Sequence, residues 1–365
     1  MRIAKLTIDG YYNYGNLLQN YALQQMLLGY ADQVDTIWHE KDNFLPFIGL
    51  NFTWKEYIKY FLNWKQFRTL YCQKYLGAEM VRQGKNREWS KRNICTRTDV
   101  KDLKAIADCY DYFVVGSDQV WNPYFGDLKN NFLSFAPDEK RIAYAASIAT
   151  PEIPLEKQDI YEKGLKGMRC ISMREEEGAQ QVEKFTGRKV PVVADPTMLL
   201  SLQEWKKVSR QPAWFKNQRY ILTYFLGPRP DDIIHKVAKR EHLEVINLLD
   251  LENYDTYITG VDEFIWAVEH ADLIYTDSFH GTVFSILFHR PFVVCNRIGN
   301  KVFNKMSSRI DTLLQYFNLE NRRGTEENGY QIENPLEITY GDTEAVIQRE
   351  KHRADEYLRK ALGLA

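Results

Sequence analysis

The sequence LIYTDSFHGTVFSILF, residues 273–288, runs from an apolar segment through a short polar turn into a second apolar segment. The first segment ends at Thr276 and is typical of a buried strand, whereas the second begins near Gly281 and has the length of a helix. A strand that passes through a tight turn directly into a helix is typical of a βαβ unit. This stretch therefore predicts a parallel sheet covered by helices.

The same alternation of short apolar runs and amphipathic segments extends over the rest of the chain. It predicts strands at 3–8, 34–38, 112–115, 141–145, 170–173, 190–194, 220–226, 244–248, 273–276 and 292–294. It predicts helices at 17–29, 98–107, 175–186, 230–240, 261–270, 281–288 and 342–362. A polar, turn-rich stretch at 203–218 interrupts the pattern, which indicates two Rossmann-like units. The predicted domains are 1–202, 203–341 and a final helical segment, 342–365, that packs back on the first domain.

Length, net charge and cysteine content indicate which class of protein the chain belongs to. The chain has 365 residues, more than a single core usually supports, so two domains are expected. A formal net charge of −1 argues against nucleic acid as a partner. The five cysteines form no CxxC pair, and no long uncharged apolar window or signal peptide is recognised. We therefore expect a cytoplasmic protein without a bound metal.

Residues 44–67 are unusually rich in aromatic residues, with lysines among them. One interpretation is a helical insertion whose aromatic face covers the first domain, because aromatic stripes usually belong to a core. The alternative is peripheral contact with the inner face of the cell membrane, where aromatic rings and lysines commonly mix.

The turn at 277–282 is the strongest candidate for chemistry. Ser278 is placed to cap the following helix, while Gly281 and Thr282 lie in its first turn, where free N–H groups favour a phosphate or carboxylate. His280 lies beside them and can transfer protons near neutral pH, and Asp277 is a candidate base. The alternative is that Asp277 and Ser278 only cap the helix and His280 only packs.

A second turn, Gly116-Ser-Asp-Gln-Val-Trp-Asn122, also follows an apolar strand. Glycine, serine and aspartate suit a tight exposed turn, and Asp118 is another candidate base. Amide side chains and a flat aromatic face suit sugar recognition. The predicted acceptor-binding residues here are Gly116, Ser117, Gln119, Trp121 and Asn122. The alternative is an ordinary turn with Trp121 buried beneath it.

A third turn follows the first strand and concentrates neutral amides, which bind hydroxyl-rich ligands without requiring charge. Its candidate acceptor-binding residues are Asn13, Gly15, Asn16 and Gln19. Only one glycine is present, so this is not a GxGxxG dinucleotide loop.

Two arginines complete the set of candidates. Arg174 lies at the end of a predicted strand, and its planar guanidinium could hold a carboxylate or phosphate in a bidentate manner. The alternative is an ion pair with the neighbouring glutamates 175–177. Arg309 is a weaker candidate of the same kind.

An ordered set of short blocks resembles the recurring motifs of polysaccharide pyruvyl transferases. The blocks are 13–23, 111–122, 144–147, 172–178, 195–197, 277–284 and 308–322, and together they span roughly residues 5–325. The resemblance implies two Rossmann-like domains in a GT-B-like arrangement with the active site in an inter-domain cleft. It also implies phosphoenolpyruvate as the donor substrate, no cofactor, and a saccharide acceptor, lipid-linked or a cell-surface glycan precursor.

By position, His280 matches the family's histidine before the helix and Arg174 its donor-binding arginine. The chain departs from the better-understood members, which carry an Arg-Leu pair before that histidine where this chain has Ser278-Phe279. Arg309 or Lys305 could supply the missing cation, or the donor could be held differently or replaced by another.

The implied chemistry protonates the donor's methylene carbon, after which sugar hydroxyls attack C2, phosphate leaves and a cyclic ketal forms. Two other functions remain open. One is a GT-B-type glycosyltransferase that uses a nucleotide sugar, and the other is a non-catalytic saccharide- or anion-binding protein.

Overall fold

The computed structural model describes residues 1–8, 10–38, 72–150, 152–296 and 308–364. The aromatic segment 44–67 and Lys305 lie outside these residues, so the interpretations given for them stay predictions. Within the described ranges, no helix combines the length and the apolar composition needed to cross a bilayer.

The first domain contains a six-stranded sheet. Its strands are β1 (Arg2–Leu6), β2 (Gln33–Ile37), β3 (Thr96–Arg97), β4 (Tyr112–Asp118), β5 (Arg141–Ala146) and β6 (Cys170–Met173). The strands are all parallel and lie in the order β3-β2-β1-β4-β5-β6. This is the order of a doubly wound Rossmann-like sheet, in which the connections reverse direction between β1 and β4. Ligands of such sheets bind outside the carboxyl ends of the strands at that point.

Helices cover this sheet on both faces. They are α1 (Tyr14–Leu27), α2 (Cys72–Asn93), α3 (Leu128–Asn131), α4 (Gln158–Lys166) and α5 (Glu176–Thr186). Short 3₁₀ turns lie at Leu103–Ile106, Asp138–Lys140, Leu155–Lys157 and Pro196–Met198. The first turn of α1 follows β1 closely, which places its amino end at the carboxyl edge of the sheet.

The second domain contains a separate five-stranded parallel sheet in the order β11-β10-β9-β7-β8. Its strands are β7 (Tyr220–Tyr224), β8 (Glu244–Asn247), β9 (Leu273–Thr276), β10 (Phe292–Cys295) and β11 (Arg323–Gly324). Its helices are α6 (Leu202–Lys207), α7 (Asp231–Glu241), α8 (Tyr254–Tyr257), α9 (Val261–His270), α10 (Phe279–Leu287) and α11 (Ser308–Phe317), with a 3₁₀ turn at Glu320–Arg322. The predicted pair of Rossmann-like domains is confirmed.

The last helix, α12 (Thr343–Ala361), lies against the first domain. The Tyr357 hydroxyl donates to the Ala143 carbonyl of β5 at 2.7 Å, and Arg169 Nε donates to the Ala361 carbonyl at 3.1 Å. The domain limits 1–202, 203–341 and 342–365 stay a prediction.

The two domains share a continuous apolar core. The Tyr14 ring stacks on Phe264 at 4.8 Å between centroids, and its hydroxyl donates to the Thr259 carbonyl at 2.7 Å. Large aromatic side chains supply most of the buried area at such contacts and favour tilted or offset arrangements. This contact therefore sets α1 of the first domain against the second domain.

Two predicted elements were wrong. The helix predicted at 98–107 is a single 3₁₀ turn, Leu103–Ile106. The Asp102 side chain accepts from the Lys104 N–H, so the turn begins only at Leu103. The strand predicted at 190–194 makes only one isolated bridge, between Met173 and Val192. Pro191 has no N–H to donate, which limits pairing there. The edge strands β3 and β11 have two residues each and were too short to predict.

Candidate active site

Five charged or titratable side chains from both domains meet at the carboxyl ends of the strands. Asp118 ends β4, Arg174 follows β6, and Asp195 follows the segment that bridges to β6. His280 lies in the first turn of α10 and Arg309 in the first turn of α11. Because both sheets direct strand ends at one region, residues far apart in sequence become neighbours there.

Arg174 is the centre of this cluster. Its Nη1 donates to Asp195 Oδ2 at 2.8 Å and its Nη2 to Asp118 Oδ1 at 3.2 Å. The arginine is 3% exposed. Burial alone would lower the pKa of the guanidinium, but Asp118 and Asp195 outweigh it and raise that pKa. Arg174 therefore carries a fixed positive charge in a site that is nearly closed to water.

The Asp195 carboxylate links Arg174 to the end of β4. Its Oδ2 also accepts from Ser117 Oγ at 2.8 Å, while its Oδ1 accepts from the Thr197 N–H at 3.0 Å and hydroxyl at 2.6 Å. Burial opposes ionisation, yet His280, Arg174 and the Thr197 hydrogen bonds together lower the pKa of Asp195 to about 2. The carboxylate is thus ionised and held in one orientation.

Asp118 is the second carboxylate of the cluster and has a φ of 71°, in the left-handed region. Its Oδ1 accepts from the Gln119 N–H at 2.9 Å and lies 3.6 Å from Arg309 Nη1. Burial would raise its pKa, but Arg174, His280 and Arg309 lower it. A non-glycine residue in this conformation is uncommon and is found preferentially at functional turns.

His280 faces the two carboxylates from the second domain. Its Nε2 lies 3.8 Å from Asp195 Oδ2 and has no hydrogen-bond partner within the described part of the chain. Burial lowers the pKa of the imidazole; Asp195 and Asp118 oppose this shift, while Arg174 and Arg309 add to it. The ring is therefore neutral near pH 7 and able to accept a proton.

Gly15 allows the first domain to approach this histidine. A Cβ at residue 15 would lie 2.1 Å from His280 Nδ1, a distance that no real contact permits. The Asn13 side chain caps α1 by accepting from the Gly15 N–H at 2.8 Å. The amino end of α1 and that of α10 consequently meet across the domain boundary.

Phe279 packs against both arginines. Its ring centroid lies 4.7 Å from Arg174 Cζ and 5.9 Å from Arg309 Cζ. A cation over an aromatic face is stabilised by the ring's quadrupole, and more so when water is excluded. The residue that precedes the histidine is thus apolar here but positions two cations.

Several predicted acceptor-side residues do lie in this region. The Ser117 N–H donates to Gln19 Oε1 at 3.1 Å, and Gln19 Nε2 donates to the Asn16 carbonyl at 2.9 Å. With its amide oriented to satisfy its neighbours, the Gln119 oxygen accepts from Arg309 Nη1 and Nη2 at 3.3 Å each. A Cβ at Gly116 would lie 1.9 Å from the Tyr144 carbonyl oxygen, which explains the glycine.

Two other predicted residues, Trp121 and Asn122, make contacts that stabilise the turn itself. Trp121 is completely buried, donates from Nε1 to the Asn131 carbonyl at 3.0 Å and stacks on Phe132, which agrees with the alternative of a ring beneath the turn. The side chain of Asn122 accepts from the Tyr124 N–H at 2.9 Å. Both side chains are buried, and their acceptor-binding roles stay predictions.

The remaining residues of the turn at 277–282 form hydrogen bonds within the turn or with the residues that follow β7. Ser278 caps α10 by accepting from the Gly281 N–H at 3.3 Å, and the Thr282 hydroxyl donates to the Ser278 carbonyl at 3.0 Å. The Asp277 carboxylate accepts from the Leu226 and Gly227 N–H groups at 2.7 and 2.9 Å, which ties the end of β9 to the end of β7. The catalytic role of Asp277 and the donor-binding roles of Ser278, Gly281 and Thr282 stay predictions.

Asp195 is the residue of the cluster to which the sequence assigned no role. It lies directly after an apolar run and before Pro196-Thr197, so its place at the end of a predicted strand was a detectable signal. Phe279 was noted only as a departure from the family motif. Its contact with two arginines depends on the packing of both domains.

Two cavities lie apart from this cluster, and none of its five residues lines them. A cavity of about 780 Å³ is bordered by Tyr124, Leu155 and residues of α4 and α5. A cavity of about 700 Å³ lies between the segment at 188–193 and α12.

The family model described as polysaccharide pyruvyl transferase matches residues 13–298. No curated protein matches the chain.

Solved structures resemble this chain over nearly its whole length, at low identity. One is the Neisseria meningitidis UDP-GlcNAc 2-epimerase bound to UDP-GlcNAc, with 11% identity, a TM-score of 0.44 and coverage of 97% of this chain and 100% of that chain. A second is the Escherichia coli ADP-heptose LPS heptosyltransferase II, with 10% identity, a TM-score of 0.35 and coverage of 99% of this chain and 98% of that chain. A third is the Streptomyces nogalater glycosyltransferase SnogD, with 13% identity, a TM-score of 0.41 and coverage of 100% of both chains.

The protein's own two parallel sheets form the two Rossmann-like domains of a GT-B-like arrangement, with the charged cluster between them. The family model covers more than half of the sequence, including Asp118, Arg174, Asp195 and His280. The chain therefore belongs to the polysaccharide pyruvyl transferase family.

Proposed function

We propose that the protein transfers a pyruvyl group from phosphoenolpyruvate to two hydroxyls of a saccharide and forms a ketal. The acceptor would be a glycan precursor, lipid-linked or destined for the cell surface, and the reaction would take place in the cytoplasm. The observation that carries this proposal is a buried site with two unpartnered nitrogen atoms. Arg174 Nε and His280 Nε2 both lack hydrogen-bond partners within the described residues.

A buried donor nitrogen without a partner costs free energy unless a ligand satisfies it. An anionic ligand with oxygens fits the Arg174 position, since a guanidinium presents several N–H groups in one plane. Arg309 Nη1 lies 3.6 Å from the same Asp118 oxygen that Arg174 contacts, and it adds a second cation. Phosphoenolpyruvate offers a phosphate and a carboxylate, so two arginines match its two anionic groups.

The proposed reaction conserves atoms and charge. A proton adds to the methylene carbon of the donor, which makes C2 electrophilic, and one sugar hydroxyl forms a C–O bond to C2 while it loses its proton. The C2–O bond to phosphate then breaks, and a second hydroxyl bonds to C2 and releases its proton. The two hydroxyls together release two protons. One replaces the proton taken up by the methylene carbon, and the other leaves with phosphate.

His280 suits the role of base for the attacking hydroxyl. Because burial lowers the pKa of its ring, the imidazole is neutral near pH 7 and can accept the hydroxyl proton. Asp195 lies close enough to stabilise the imidazolium that forms. Asp195 also positions Arg174, so a single carboxylate orients both the cation and the base.

A thermal-shift experiment with phosphoenolpyruvate, nucleotide sugars and inorganic phosphate tests this proposal. We expect phosphoenolpyruvate to raise the melting temperature of the wild type and not that of Arg174→Ala. Arg174→Lys keeps the charge but loses the planar fork, so it serves as a second variant if the alanine variant folds poorly. Arg219→Ala removes an exposed arginine of the second domain and should respond as the wild type.

The alternatives make different predictions in the same experiment. A nucleotide-sugar glycosyltransferase would be stabilised by nucleotide sugars and not by phosphoenolpyruvate. A binding protein without catalysis would respond to phosphate or phosphoenolpyruvate yet release no phosphate from the donor with any acceptor. Either result would contradict pyruvyl transfer.

A further inference from the structure

A cavity of about 780 Å³ lies on the surface of the first domain, between the loop after β4 and the helices α4 and α5. Its volume lies in the range of ligand sites, which are usually about 300–1,000 Å³. Two of its lining side chains are large, apolar and well exposed: Leu155 is 82% exposed and Tyr124 is 56% exposed. An exposed ring beside a cavity of this size offers an apolar face on which a ligand can pack.

The polar lining of the cavity is rich in amides. Gln158, Gln180 and Gln181 border it together with the carboxylates Glu152 and Glu177. Gln181 is anchored through a hydrogen bond to the Thr150 carbonyl at 2.6 Å. Amides and carboxylates donate to and accept from hydroxyl groups, and an exposed ring can pack on the apolar face of a sugar. Two carboxylates beside one lysine, Lys184, disfavour a polyanion.

The cavity is connected by sequence to the charged cluster. Tyr124 lies on the loop that begins at Asp118, and Glu177 lies in the first turn of α5, which begins two residues after Arg174. The third wall is the loop after β5, and Glu175 Oε1 accepts from the Ile148 N–H of that loop at 3.1 Å. Two of the three loops that border the cavity therefore begin at strand ends that carry the cluster, and the third begins at the end of β5, which lies between β4 and β6.

We propose that this cavity binds the outer sugar units of an oligosaccharide acceptor whose reacting sugar lies beside Asp118 and His280. The inference rests on the proposed function, because it assigns the acceptor of that reaction to a chemical class. A longer glycan would contact both places, whereas a monosaccharide would reach only the cluster. The enzyme would then select its acceptor by chain length as well as by the reacting sugar.

Binding to an array of neutral oligosaccharides and their matching monosaccharides tests the inference. The array covers glucose, galactose, mannose and N-acetylhexosamine units in several linkages. We expect the wild type to bind at least one oligosaccharide more tightly than its monosaccharide, and Tyr124→Ala to weaken that binding by about tenfold, as the loss of one aromatic contact implies. Gln180→Ala should weaken it further when combined with Tyr124→Ala.

Controls separate a local effect from a general one. Tyr124→Phe keeps the ring and should bind nearly as the wild type does. Tyr254→Ala removes a tyrosine of the second domain that is 44% exposed and should leave the array pattern unchanged. Phosphoenolpyruvate should stabilise Tyr124→Ala as much as the wild type, because the donor site is untouched.

The outcomes distinguish this inference from the proposed function. If the wild type binds no oligosaccharide of the array, or if Tyr124→Ala binds as the wild type does, the cavity is not an acceptor site. If saccharide binding depends on Tyr124 but phosphoenolpyruvate has no effect on any variant, the cavity assignment stands and pyruvyl transfer fails.

Discussion

At the scale of single residues, the site concentrates opposite charges in a region nearly closed to water. Asp118, Arg174 and Asp195 form ion pairs whose members are at most 10% exposed in their side chains. Buried ion pairs are not in general a source of stability, because desolvation offsets the attraction between the charges. In the proposed reaction, their value lies in fixing the orientation of the groups assigned to the donor and to the base.

The first prediction concerns His280. His280→Ala should lower turnover by roughly a hundred- to ten-thousandfold, the usual effect of removing a general acid or base. Donor binding should weaken only modestly, because the anion is held by arginines. The measurement is phosphate release from phosphoenolpyruvate with an accepted saccharide, alongside thermal stability. His352→Ala changes an exposed histidine of α12, 73% exposed in its side chain, and is the matched control.

The same experiment separates catalysis from packing. A variant that melts at a lower temperature but keeps full turnover per folded molecule would remove His280 from the mechanism and leave it a packing role.

The second prediction concerns the pH dependence of stability. The pKa of Asp195 is about 2 in the folded protein and near 3.8 when unfolded, so the ionised carboxylate stabilises the fold above about pH 4. This contribution, about 2 kcal/mol, is lost as the pH falls towards 2. Asp195→Asn should abolish that slope and, at neutral pH, lower the free energy of unfolding by about 3–5 kcal/mol, because Arg174 loses a partner. Urea unfolding as a function of pH measures both effects.

Asp255→Asn, at an exposed position of α8, is the control and should change neither the slope nor the stability. Identical pH profiles for Asp195→Asn and the wild type would show that this carboxylate does not contribute through its ionisation.

At the scale of elements, the site depends on how closely the amino ends of two helices approach. Asn13 starts α1 and Ser278 starts α10, each through a side-chain oxygen that accepts from the backbone. Capping of this kind satisfies N–H groups that have no partner within the helix. The two helices meet where Gly15 faces His280, and only a residue without a side chain fits between them.

The third prediction tests this approach. Gly15→Ala would place a methyl group 2.1 Å from His280 Nδ1, so the ring or the helix must move. We expect loss of most activity and a lower melting temperature. Gly84→Ala in α2 is the matched control, since a Cβ there meets nothing within 4 Å. It should raise the free energy of unfolding by about 0.5–1 kcal/mol, because alanine favours a helix more than glycine does.

Unchanged activity in Gly15→Ala would mean that the two helix ends have room to separate without disturbing the site. Activity measurements with circular dichroism of both variants decide between these results.

At the scale of the whole molecule, the two Rossmann-like domains are joined by a shared aromatic core. Trp205 of α6 is fully buried, 5.6 Å from the Tyr21 ring of the first domain and 4.8 Å from the Phe284 ring of the second. Trp89 of α2 donates from Nε1 to the Val208 carbonyl at 3.1 Å. An interface of this kind favours concerted behaviour of the two domains over free relative motion.

The fourth prediction follows from this shared core. The wild type should unfold in a single transition, and Trp205→Ala should lower the free energy of unfolding by about 3–5 kcal/mol. The variant should also show two separate transitions in calorimetry, because a central contact of the core that couples the domains is lost. Trp266→Ala is the control: its ring packs on Phe215, within the second domain, so it should destabilise without splitting the transition.

A wild type that already unfolds in two steps would contradict the coupling. Equal effects of the two tryptophan substitutions on cooperativity would do so as well.

The sequence by itself determined the local features of this protein. Apolar runs that end in polar turns predicted two parallel sheets, and the predicted strand 273–276 agrees with β9 residue for residue. Because a strand end and the following turn are contiguous in sequence, Asp118, Arg174 and His280 could be selected before any contact was known. Elements that depend on weak or interrupted patterns, such as 98–107 and 190–194, were predicted wrongly.

Only the tertiary structure decided which of the selected residues meet and what they contact. Arg174 forms ion pairs with Asp118 and Asp195, which are distant from it in sequence, and Trp121 lies beneath its turn. His280 lies beside Gly15 although 265 positions separate them in the sequence, because the two sheets pack around one shared core. Contacts of that range depend on side-chain packing between elements, and packing leaves no periodic pattern in the chain.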